Sequence, residues 1–283
     1  MVTAKDYQGQ TTAWCPGCGN FPILKTYQEA LAELNIEPHR VTIVSGIGQG
    51  AKTPHYMRCN TFNGLHGRAL PVATGFRLAN HEMLVLAIAG DGDCYGEGGN
   101  HFLHAMRRNI NVKLFVHNNQ IYGLTKGQGS PTTAEGTVTK TQPFGISSEQ
   151  LNPMVLAVAM DCGFVARGFA GDMEHLKMLI KEAINHQGFS LVDILQPCVT
   201  FNKVNTYEWY RQRIYRLGPE HDPEDRDASF KKAQEWGERI PIGIIFRNKR
   251  PIFEERIPVI REKPLVRQET FPGNVKELLK EFY

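Results

Sequence analysis

Short, uninterrupted apolar runs alternate along most of the chain with segments whose apolar residues recur at helical spacing. Residues 40–46 (RVTIVSG), 84–90 (LVLAIAG), 112–118 (VKLFVHN), 163–168 (GFVARG) and 191–196 (LVDILQ) are rich in β-branched residues and apolar on both sides. That is how strands buried in a parallel sheet read. Between them, Phe102, Leu103, Ala105 and Met106 fall on one helical face, and residues 152–162 and 171–188 keep the same period. The second of these helices is predicted to close at Gly188 as a C-cap. The pattern predicts an α/β fold built on a doubly wound parallel sheet.

After Cys198 the pattern changes. Residues 199–283 hold 31 of the chain's 61 charged residues, which sets a boundary between a body at 1–198 and a tail at 199–283. The tail has one strand-like run, IPIGIIF, and prolines at 251, 258, 264 and 272 that forbid long helices. It reads as an extended, ordered arm for subunit contacts. A net charge of +3 with no dense basic run argues against nucleic acid. The first residues lack the apolar core of a signal peptide, and no run is long enough to span a membrane, so a cytoplasmic location is expected. Six cysteines in such a protein point to metal binding or burial rather than disulfides.

The chemistry concentrates at strand ends. Asp91 lies in Gly-Asp-Gly-Asp (90–93) directly after one strand, and Asn118-Asn119 closes the next, a crossover of ordinary length. A carboxylate and an amide oxygen emerging together there are hard ligands suited to magnesium on a phosphate-bearing ligand. Gly90 and Gly92 let the backbone approach a diphosphate, and the following helix offers free N–H groups. GIGQGAKT (46–53) superficially matches a P-loop or a dinucleotide fingerprint, but alanine stands at 51 and proline follows at 54. Cys15-Pro-Gly-Cys18 forms a tight turn that by itself leaves zinc, a redox disulfide and an iron–sulfur cluster open.

Taken in order, WCPGCG (14–19), SGIG (45–48), LHGRALPVATG (65–75), GDGD (90–93), GGNH (98–101), NNQIYGLTKGQ (118–128), SPTT (130–133) and LQPC (195–198) resemble the β subunits of 2-oxoacid:ferredoxin oxidoreductases. The resemblance covers roughly residues 12–205 and implies the thiamine diphosphate-binding fold. It implies that Asp91, Asn119 and the main-chain carbonyl of Ile121 hold Mg2+. Ile47, Gly48, Gln49, Gly50, His66, Gly90, Gly92, Asp93, Gly123 and Leu124 then form the cofactor site. It further implies a [4Fe–4S] cluster on Cys15, Cys18 and Cys198, with a fourth cysteine directly after GIG. This chain has Gln49 at that position; Cys59 is the expected substitute, with ligation through the Gln49 oxygen and an absent or labile cluster as the alternatives. Trp14 would shield the cluster, Cys94 would lie near the cofactor without binding iron, and Cys162 would be core.

The implied reaction is oxidative decarboxylation of a 2-oxo acid with coenzyme A, giving acyl-CoA and CO2, with electrons passing to ferredoxin. An α subunit would supply the pyrimidine-binding domain and its activating glutamate, since no second thiamine-type half is visible. His66, Lys52 and Lys126 are the candidate catalytic groups, and two lysines at one mouth would suit 2-oxoglutarate. A non-redox thiamine enzyme and a zinc-stabilised α/β binding module are the competing classes.

Overall fold

The computed structural model describes residues 1–269 and 275–282; Pro272 lies outside the described residues. Among the described residues, eight strands form one sheet: β1 (Val41–Ser45), β2 (Asn60–Asn63), β3 (Leu84–Gly90), β4 (Lys113–Asn118), β5 (Phe164–Phe169), β6 (Ser190–Leu195), β7 (Ile214–Arg216) and β8 (Ile240–Arg247). Their order is β2-β1-β3-β4-β6-β5-β8-β7. Every pairing is parallel except β5 with β8. Because β2 and β3 leave β1 on opposite sides, the chain reverses direction there and opens a crevice at the carboxyl ends.

The period-two alternation of the central strands sorts their side chains into two cores. Leu86 and Ile88 face one, while Val85, Ala87 and Ala89 face the other. The first is covered by α1 (Asn20–Glu33) and α6 (Met173–Asn185), joined by Tyr56 of the short α2 (Thr53–Tyr56). The second is covered by α3 (Ala69–Ala79), α4 (Gly99–Arg108) and α5 (Pro153–Ala159). The α/β architecture and its five central strands stand where the sequence places them.

Two expectations are corrected. The tail does not leave the body as an arm: after α7 (Tyr207–Arg211), β7 and β8 extend the same sheet on either side of α8 (Arg226–Gln234). Farther along, Glu254 is buried and accepts a 2.5 Å hydrogen bond from Arg77. Gly188 is not the C-cap of α6, which ends at Asn185; it turns with φ of 118° into β6. No helix among the described residues is long and apolar enough to cross a membrane.

Candidate functional site

Parallel register carries the key groups to one edge. Gly90 pairs with His117, so Asp91 and the Asn118-Asn119 pair leave the sheet side by side at its carboxyl end. After Asp91 the chain makes a wide π-helical turn, Gly92–Glu97, before α4. Such turns gather at functional sites because they re-aim side chains. Asp91 is buried, and its Oδ2 accepts hydrogen bonds from Ser130 (2.5 Å) and Thr132 (2.6 Å). Burial raises its pKa to about 6 despite these two hydroxyls, and a bound cation would offset that cost. Asn119 Oδ1 accepts from the Ile121 amide at 3.1 Å, which folds the loop back on its own side chain.

Asp93 holds three loops together. Its Oδ1 accepts from Ile47 N (3.0 Å), Gly67 N (2.7 Å) and His66 Nδ1 (2.7 Å). A proton on Nδ1 leaves Nε2 as the His66 nitrogen free to act on a substrate. Asp93 Oδ2 is buried with no partner. Two glycines make the crowding possible: a Cβ on Gly46 would lie 2.0 Å from Asp93 Oδ2, and one on Gly92 would lie 2.2 Å from the Tyr122 ring. Gly50 sits against buried His117, whose ring bonds Asn20 Oδ1 (2.7 Å) and Tyr27 OH (3.0 Å). Burial lowers the His117 pKa to about 3. Gly48 and Gly90 lie in the same edge, while Gly123 and Leu124 are in the turn after β4, with Leu124 exposed.

Next to this cradle is a second pocket. Cys15, Cys18 and Cys198 line one cavity of about 50 Å3 together with Trp14, Asn20, Gln49, Asn119, Gly123 and Gln196. Trp14 Nε1 donates to the Gln49 carbonyl (2.9 Å), and Gly19 N donates to the Pro197 carbonyl (3.2 Å), tying the three loops to one another. The Cys18 thiol is pushed up to about 11 by burial and by the neighbouring Cys198 and Cys15. Gln196 Nε2 donates toward its sulfur at 3.6 Å. Among the described residues, no three His, Cys, Asp or Glu side chains are already gathered on one ion position. The donor chemistry nevertheless fits a sulfur-bound group: three thiols around one space, with Asn20 Nδ2 and Gln49 Oε1 buried and unpartnered in its lining.

Cys59 is a correction. It precedes β2, whose Asn60 pairs with Thr42 near the start of β1. The loop that carries Gln49 leaves from the other end of β1, about 10 Å away along the strand. Cys59 contacts the core that contains Tyr7 and Ile43, and burial pushes its thiol up to about 12. The lysines are also separated. Lys126, with φ of 76°, lines a 510 Å3 cleft with Lys140 and Lys203, and half-buried Lys52 does not line it. Cys94 and Cys162 are buried in the core.

Sequence reasoning missed the roles of Ser130, Thr132, Tyr122 and Asp193. Asp193 is buried within β6 and receives Tyr95 OH (2.9 Å) and Asn118 Nδ2 (3.2 Å), so it orients the asparagine next to Asn119. A lone aspartate in apolar LVDILQ was the available signal.

Comparison with known proteins matches this geometry. Residues 45–194 fit the family of thiamine pyrophosphate enzymes, C-terminal TPP binding domain, and residues 198–262 fit the C terminus of the pyruvate ferredoxin oxidoreductase beta subunit. The chain is 44% identical to 2-oxoacid:ferredoxin oxidoreductase 1, subunit beta, of Aeropyrum pernix, over 86% of this chain and 80% of that one. It is 46% identical to the corresponding beta subunit of a Sulfolobus species, over 88% and 86%. A solved 2-oxoglutarate:ferredoxin oxidoreductase from Magnetococcus marinus, with 2-oxoglutarate, coenzyme A and succinyl-CoA bound, superposes with a TM-score of 0.91. It is 35% identical, and the match covers 99% of this chain and 96% of that one. The chain therefore belongs to the family of 2-oxoacid:ferredoxin oxidoreductase β subunits.

Proposed function

We propose that this chain is the cofactor-binding half of an enzyme that oxidatively decarboxylates a 2-oxo acid, with coenzyme A as acyl acceptor and ferredoxin as electron acceptor. The observation that carries this reading is the sharing of one loop by two sites. Ile47 of the Gly46–Lys52 loop reaches Asp93 in the diphosphate cradle, and Gln49, two residues on, lines the cysteine cavity.

Asp91, Asn119 and the Ile121 carbonyl would hold Mg2+, and Gly92 would let the backbone close on the diphosphate. Thiamine diphosphate supplies the electron sink for loss of CO2. The chain's own residues position and shield: Ser130 and Thr132 fix the Asp91 carboxylate, and Asp93 fixes the His66 tautomer. Cys15, Cys18 and Cys198 would hold the iron–sulfur group beside the cofactor, screened by Trp14. The partner α subunit would complete the cofactor site, so the isolated chain is inactive. Lys126, in the cleft it lines with Lys140 and Lys203, would pair with a second carboxylate, which with the 2-oxoglutarate bound in the solved relative supports 2-oxoglutarate as the preferred substrate.

The test is co-expression with the α-subunit gene under anoxic conditions, then coenzyme A-dependent reduction of ferredoxin with a panel of 2-oxo acids. Activity with 2-oxoglutarate above pyruvate is expected. Lys126→Ala should lower 2-oxoglutarate turnover roughly ten- to hundredfold more than pyruvate turnover. Equal loss on both would remove the lysine from side-chain selection.

A further inference from the structure

Four features of the cysteine pocket bear on how its occupant is held. Three thiols, not four, line the cavity. Gln49 stands at the position where the family resemblance places a cysteine, and its Oε1 is shielded from solvent with no hydrogen-bond partner. A Cβ on Gly123 would sit 3.8 Å from Cys198 Sγ and 4.0 Å from Gln49 Cγ, so these two side chains flank one small space. The Trp14 indole grips the Gln49 carbonyl, so the backbone at 49 cannot swing away without releasing the Cys15 loop.

Cys59 is excluded as the fourth donor because its register places it at the amino end of the sheet. Gln196 Oε1 is also buried without a partner, but the Gln196 amide is already held through Nε2 to Cys18 Sγ and the Pro197 carbonyl, so it serves that thiol as a donor, whereas the Gln49 amide has no such tie.

Given the iron–sulfur cluster of the proposed function, on which this step rests, we infer that three thiolates hold it and that its fourth iron faces the Gln49 side-chain oxygen. A neutral amide oxygen in place of a thiolate removes one negative charge from the first coordination sphere. Net charge is a principal determinant of cluster potential, so the cluster is easier to reduce than one with four thiolates. The oxygen-bound corner is also the weakest, because iron in these clusters favours thiolate over amide oxygen. One-electron oxidation then expels that iron: [4Fe–4S]2+ plus ferricyanide gives [3Fe–4S]+, Fe2+ and ferrocyanide, with charge and iron balanced.

The experiment uses the complex with its α subunit, purified anoxically, and reads iron and sulfide content, electron paramagnetic resonance and the cluster's reduction potential. Ferricyanide is expected to release a single Fe2+ per cluster and to produce the three-iron signal in the wild type. Gln49→Cys should suppress that signal and lower the potential. Gln49→Ala should convert faster than the wild type, which keeps the test alive where the cysteine variant fails to fold. Cys59→Ser should retain full iron, the same potential and the same conversion. Loss of a corner iron in Cys59→Ser, with Gln49→Cys behaving as wild type, overturns the inference while leaving the cluster reading intact. Absence of iron and sulfide from the wild-type complex overturns both.

Discussion

The two ends of the sheet gather their buried polar groups differently. At the amino ends, Lys113 donates to Asn111 Oδ1 (2.6 Å), to the Gly188 carbonyl (3.0 Å) and to the His186 carbonyl. Burial, with Arg77 nearby, pulls Lys113 down to about 7. Arg77 in turn meets Glu254, which also accepts from Asn111 N. All three Lys113 donors therefore end on oxygens of the same chain, and the group is a structural plug. At the carboxyl ends, Asn20 Nδ2, Gln49 Oε1, Asp93 Oδ2 and Gln196 Oε1 are buried without partners. Burial and a displaced pKa occur at both ends, so neither identifies the functional one. Unanswered polar atoms also occur at the amino end, at His186 Nε2 and Asn248 Oδ1, so what marks the carboxyl end is their gathering beside three thiols and the Asp91 carboxylate, where a ligand can relieve the desolvation cost.

The comparison breaks most visibly at Asp91. Asp91→Ala in the assembled complex should abolish magnesium-dependent retention of thiamine diphosphate, read by cofactor content after gel filtration. Retention at the wild-type level would remove Asp91 from the metal site. Lys113→Met tests the opposite end. It should lower stability by about 1–3 kcal/mol, because buried carbonyls lose their donor, and leave cofactor affinity unchanged. A thermal melt and a cofactor titration on the same sample separate the two effects, and a weaker affinity would mean that the plug reaches the site.

Thr132→Val sharpens the picture within the site. Removing one hydroxyl from the Asp91 carboxylate should weaken cofactor binding about tenfold, as for other groups that orient a metal ligand. An unchanged titration curve would leave Ser130 as the sole orienting hydroxyl. The smallest effect is expected at Cys59. Its raised pKa leaves little thiolate at pH 8, so alkylation should be slow and should proceed at the same rate with or without a cluster. Peptide mapping would show protection on cluster loading at Cys15, Cys18 and Cys198 alone.

The fold was readable wherever burial wrote itself into composition. The five central strands carry doubly apolar runs, and GDGD with the Asn pair marks their carboxyl ends. β2 escaped notice because NTFN is an exposed edge with no apolar period. The tail misled because its charge density reads as an arm, whereas IPIGIIF pairs with β5. Within the site, residues adjacent in sequence to the strand ends were legible. Cys59 was misassigned since nearness to GIG along the chain says nothing of which sheet end β2 starts from. Ser130, Thr132 and Asp193 reach the site only through tertiary packing, from a loop 39 residues beyond Asp91 in one case and from a neighbouring strand in another.

The Gly46–Lys52 loop has consequences for how such a chain can change. It is pinned at Ile47 to Asp93 and at Gln49 to Trp14. An insertion or deletion between those two anchors would pull one site out of step with the other. Its length is therefore fixed by two clients at once, and variation is confined to the identity of its side chains. A swap at residue 49 is the change that such a loop permits: it alters the side chain offered to the cysteine cavity while leaving the spacing between both sites untouched.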